Sequence, residues 1–132
     1  MALQEILQAQ LHLLSDTVLY ADAQNFLKEH RPPDNNQLNG LLAFSRNAKE
    51  LGKYVSRQRE RNWGEGYKGH YAAFYGALDR TLRGLKERIP PTNPATNEKL
   101  TKQETQAALD ILYREFAQHL VAHAMFITKI SS

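Results

Sequence analysis

The chain has 132 residues, 42% of them hydrophobic and 23% charged, with a formal net charge of +3 and no cysteine. That length suits one compact domain with its own core, and the composition is that of a folded chain rather than a disordered one. Disulfides and thiolate metal sites are excluded, and no apolar run reaches membrane-spanning length. The opening MALQEILQAQ lacks the basic and then apolar segments of a signal peptide, so the sequence predicts a cytoplasmic protein with no membrane partner.

Charge is spread unevenly. Residues 46–88 hold eleven Lys and Arg against five Asp and Glu, whereas the rest of the chain holds six against nine. A basic middle between acidic ends points to a localised anionic partner rather than to general stickiness.

In chain order, Leu3 to about Glu29 reads as a long amphipathic helix, with Ile6, Leu7, Leu11, Leu14, Val18 and Leu19 in helical period. Pro32 and Pro33 end it. Asp34, Asn35 or Asn36 can cap a short second helix carrying Leu38, Leu41, Leu42 and Phe44, although Asn39-Gly40 lowers its helix propensity. Asn47 followed by Glu50 is a capping-box pattern that opens a third helix ending near Asn62.

Trp63-Gly-Glu-Gly66 reads as a joint, followed by a helix from about Tyr67 to Arg88. Gly69, Gly76 and Gly84 fall on nearly one side of it, which predicts close approach of a neighbouring helix there. IPPTNPATNEKL is a linker, and Thr101-Lys-Gln-Glu104 is a second capping box opening a last helix to about Ile130. No alternating pattern marks a strand. The fold expected over residues 1–132 is therefore a single all-α bundle of four to five helices with long first and last members.

The third helix carries the sharpest signal. Lys49, Lys53, Arg57 and Arg61 recur every four residues and so share one face, with Arg46 just upstream. Like charges at this spacing repel and add nothing to helix stability. A strip of this kind suits sequence-independent contact with phosphates. Trp63, Tyr67, Tyr71 and Tyr75 follow at the same step. Tyr71 and Tyr75 are expected in the core, while Trp63 and Tyr67 are candidates for contact with a partner or with unpaired bases. The further cations Arg80, Arg83, Lys86 and Arg88 are expected to be partly neutralised by Asp79 and Glu87.

Two other constellations lie on the last helix. Glu115, His119 and His123 share a face compatible with a metal, but the set is incomplete and no metal or cofactor is expected. Arg114 and His119 form an R-x4-H pattern that resembles the short motif of HEPN ribonucleases. That resemblance implies metal-independent RNA cleavage in a site shared by two subunits, with His119 moving a proton and Arg114 stabilising phosphate charge. Glu115, directly after the arginine, would sit poorly beside a phosphate.

A wider pattern covers residues 36–85: the short helix in NNQLNGLLAFSRNA, the basic KELGKYVSRQRERNW, and the aromatic GHYAAFYGALDRTL. With the size and all-α character, this resembles the small helical subunits of type III CRISPR effector complexes. The resemblance implies a non-catalytic, RNA-binding subunit of an antiviral ribonucleoprotein, stacked with larger protein subunits along crRNA and target RNA. Lys49, Lys53, Arg57 and Arg61 would then face phosphates, and Trp63 could serve subunit contacts or self-association. A HEPN-like ribonuclease using Arg114 and His119, or a module whose cations meet an acidic protein, are the alternatives.

Overall fold

Helix ends leave backbone N–H and C=O groups unpaired, so helices start and stop where side chains can satisfy them. The computed structural model describes residues 5–64, 66 and 68–131, the side chains of 128–131 excepted; Leu3 and Tyr67 lie outside the described residues. The described residues form five helices, and no named strand occurs among them. The first, α1, covers residues 5–29 as Glu5–Leu14, a π-helical turn Ser15–Leu19, and Tyr20–Glu29. α2 is Asn35–Ala43 and α3 is Ala48–Glu60. α4 is His70–Gly84, extended by a tight 3-10 turn Leu85–Arg88, and α5 is Lys102–Ser131. This is the all-α bundle with long first and last helices that the periodicity implies.

Of the three candidates before α2 it is Asp34 that caps, and the other two caps fall where the sequence places them. Asp34 Oδ1 accepts from the Gln37 N–H at 3.0 Å, and Asn47 Oδ1 accepts from the Glu50 N–H at 2.9 Å. Thr101 and Glu104 exchange two such bonds, each 3.0 Å. The Gln37 N–H, aided by the Tyr71 hydroxyl, holds the Asp34 carboxyl below the usual carboxylate range. The π turn carries no sequence signal. There the Tyr20 N–H reaches back to the Ser15 carbonyl, and the Thr17 hydroxyl donates to the Leu13 carbonyl at 2.8 Å.

α5 packs along α1, α2 and α3 and onto the 3-10 turn, while α3 lies along α4. Phe26 stands edge-on to Phe74 and Phe116, with ring centroids 5.5 and 6.4 Å apart, and so joins α1, α4 and α5. Ile6, Leu42 and Phe44, expected on apolar faces, are instead exposed. Between α4 and α5 the linker is tied at its base: Thr92 bridges to Lys99, and the Asn93 N–H donates to the Glu98 carbonyl at 2.8 Å.

Gly40 answers why a poor helix former sits inside α2. A Cβ there would overlap the Tyr54 hydroxyl and stand 2.8 Å from Tyr54 Cζ. Tyr54 cannot easily yield, because it is buried against Tyr75 and its hydroxyl lies 3.3 Å from Gln37 Oε1. The close approach is thus at Gly40, not at the three glycines expected to provide it. Gly69 only precedes α4, a Cβ at Gly76 would make ordinary contact with the Arg80 guanidinium and the Arg59 stem at 3.8–4.0 Å, and nothing lies within 4 Å of a Cβ at Gly84. Gly40→Ala is expected to lose roughly 1–3 kcal/mol through overpacking, despite alanine's higher helix propensity. Gly84→Ala, with open space around it, should be neutral or gain up to about 1 kcal/mol. Denaturant unfolding of the two variants checks the contrast.

Candidate nucleic-acid interface

α3 is amphipathic in a way that fixes which side can meet a partner. Ala48, Leu51, Tyr54 and Val55 are buried, and Lys49, Lys53 and Arg57 stand exposed on the other side. The helix is held at three points. Asn47 caps it from within, and Asp110 of α5 accepts from the Ala48 N–H at 2.9 Å. Farther along, Arg59 donates to Asp79 of α4 at 3.1 Å. Because Asn47 and Asp110 occupy N–H groups at the first turn, an anion at this face is left to the side chains.

No ion pair or hydrogen bond engages Lys49, Lys53 or Arg57 among the described residues. Arg46, whose side chain is 80% exposed, lies 3.9 Å from Glu50. So exposed and loose a pair contributes little and releases the arginine readily. The second cationic cluster differs. Arg83 lies 3.3 Å from Asp79, as its four-residue spacing implies, and Arg88 pairs with Asp22 at 3.1 Å. The share of Arg59 in the Asp79 pair has no sequence signal, since it spans two helices.

One expected member of the strip, Arg61, and one expected contact residue, Trp63, are placed otherwise. α3 ends at Glu60, and Arg61 takes an extended backbone (φ −70°, ψ 149°), so it does not continue the helical row. Its guanidinium sits 4.5 Å over the Trp63 ring and donates to Gln58 Oε1 at 3.1 Å. Trp63, expected at a partner surface, is half-buried against Tyr71 and Tyr75 and donates its indole N–H to the Gln58 carbonyl at 2.8 Å. It closes the end of α3 onto α4. Tyr71 and Tyr75 are buried, as expected, and burial raises the Tyr75 hydroxyl far above its usual pKa.

Phe44 occupies the place at the surface that Trp63 does not. It follows α2 directly and remains 37% exposed, with its ring stacked on Tyr54 at 4.8 Å and 18°. It lines an open depression of about 170 Å³ with Ala43, Arg46, Glu50, Lys53 and Arg57. The only sequence hint is that Phe44-Ser-Arg46 lies between the end of one helix and the cap of the next.

The residues of the last helix are not assembled into one site. Five positions along a helix turn Arg114 and His119 about 140° apart. His119 Nε2 lies 2.9 Å from the buried Ser15 Oγ, and Glu115 pairs instead with His12 at 3.1 Å. His123 Nε2 is buried without a hydrogen-bond partner. No cluster of three or more metal-ligating side chains occurs among the described residues. No helix of the described residues is long and apolar enough to cross a membrane. No family model, curated protein or solved structure matches the chain.

Burial, with a smaller repulsion from His119, holds the His123 imidazole below its ordinary pKa of 6.5. On acidification the unfolded chain therefore takes up the proton first. This contribution to stability is intact above about pH 6.5, declines below it, and levels off once the folded imidazole also protonates. His123→Leu should reduce the drop in denaturant midpoint between about pH 7.5 and pH 5.5. An unchanged drop would place the titration elsewhere.

Proposed function

We propose that this protein is a non-catalytic, RNA-binding small subunit of a cytoplasmic ribonucleoprotein, of the kind that serves antiviral defence in type III CRISPR effector complexes. One observation carries the reading: among the described residues Lys49, Lys53 and Arg57 form an exposed row that no ion pair or hydrogen bond engages, on a helix whose opposite side is locked into the core. A helix rise of about 1.5 Å per residue spaces these cations by about 6 Å, close to the separation of successive phosphates on one strand. Arg46 extends the row at its start. The profile of residues 36–85 supports the same assignment. Ile6, Leu13, Tyr20 and Phe126 are exposed apolar side chains that larger subunits or a further copy could cover.

With four phosphate contacts at Arg46, Lys49, Lys53 and Arg57, the logarithm of affinity for single-stranded RNA should fall with the logarithm of salt at a slope of roughly −3. Replacing Lys53 and Arg57 by Gln should halve that slope, and reversing both to Glu should abolish binding. Fluorescence anisotropy of a labelled oligoribonucleotide across a salt series measures all three. Affinity unchanged by the double reversal would remove the reading.

A further inference from the structure

The depression beside Phe44 is not explained by phosphate binding alone. A track for phosphates needs cations and has no use for an aromatic ring, yet Phe44 is held at the surface among three cations. The ring is firmly placed. Its N–H donates to the Gly40 carbonyl at 3.1 Å, and one face rests on Tyr54, which is buried against Tyr75. Gly40, by lacking a side chain, leaves the room in which Tyr54 lies. The Arg57 guanidinium carbon lies over the Phe44 ring, 5.9 Å from its centroid. That is the outer edge of cation–π range, a loose contact that a base, needing about 3.5 Å on each face, would displace outward by roughly 1 Å.

We infer that Phe44 and Arg57 form a slot for one unpaired nucleobase, with the adjoining phosphates held by Lys53 and Arg46. This rests on the RNA-binding reading above and adds a base subsite to it. Three features favour this occupant. The depression, about 170 Å³, is far below the roughly 300–1,000 Å³ of a drug-sized pocket and suits a single flat ring. Every base offers a π face to an aromatic ring and to a guanidinium, so the slot accepts unpaired strands of any sequence. An acidic peptide would satisfy the cations but leave Phe44 without a role. Glu50, also lining the depression, disfavours a bare anion deep inside it while offering an acceptor to base amino groups.

The test compares two labelled strands of equal length and charge, one an oligoribonucleotide and one an abasic ribose-phosphate chain. Phe44→Leu keeps apolar cover over Tyr54 but removes the aromatic face. It should weaken the base-bearing strand about five- to tenfold, the lower part of the range for one stacked base, and leave the abasic strand and the salt slope unchanged. Phe44→Trp should bind at least as tightly as the natural protein. As a readout needing no variant, 2-aminopurine within the RNA should lose fluorescence when it enters the slot. Equal binding of base-bearing and abasic strands by the natural protein, or equal losses for both strands in Phe44→Leu, would overturn the slot and leave the phosphate track standing. A polyglutamate peptide binding as tightly as RNA of the same charge would overturn it in favour of an acidic protein partner. No binding of either strand by the natural protein would remove both readings.

Discussion

Tyr54 is the side chain on which three helices depend for their relative placement. Its ring fills the space that Gly40 leaves beside α2, and its hydroxyl lies within 3.4 Å of both the Gln37 side chain and the Gln37 carbonyl. Tyr75 of α4 donates to the same Gln37 oxygen at 2.7 Å, so one amide ties α2, α3 and α4 together. Such a buried polar junction is favourable only when its members are satisfied together, which makes it selective for a single packing. Phe44 stacks on the outer face of this junction, so core geometry sets the position of a surface ring.

The basic face of α3 is a cost that the rest of the molecule offsets. Cations four residues apart repel along the helix, by a few tenths of a kcal/mol per pair. Against this, each fully buried aliphatic side chain on the inner face contributes about 1.5–3 kcal/mol, and Leu51 and Val55 are both essentially inaccessible. Asp79 has a different part. Its side chain is 6% exposed and meets both Arg59 and Arg83, which keeps a buried carboxylate paired while joining α3 to α4. The cations of this region thus divide into those that hold the bundle and those that remain for a partner.

Much of the fold was legible because helices obey local rules. The caps at Asp34, Asn47 and Thr101 are determined by residues within three positions; Asn47 and Thr101 form as the sequence implies, and of the three candidates before α2 it is Asp34 that caps. The exposure of Lys49, Lys53 and Arg57 follows from the same periodicity that buries Leu51 and Val55. What was not legible depends on contacts between distant segments. The reason for Gly40 is a tyrosine fourteen positions later, and the loss of Arg61 from the row reflects a helix that stops one residue before it. Trp63 was misplaced because a glycine-rich joint resembles a surface loop, whereas its indole finds the end of α3 and the rings of α4. The cap of α3 by Asp110 likewise arises only when helices meet.

The pinched linker before α5 separates the length of a segment from the geometry of the fold. With Thr92 and Lys99 already paired at its neck, the turn between them is closed irrespective of how many residues it contains. Asn93 alone is buried there, accepting from the Ala95 N–H at 2.9 Å, while 94–98 face solvent. Lengthening such a closed turn costs only about 0.6 kcal/mol per doubling of the loop. The neck is therefore a natural docking point for genetic grafts: an epitope or a dye-accepting peptide inserted beyond Asn93 hangs from the bundle without changing how its helices meet.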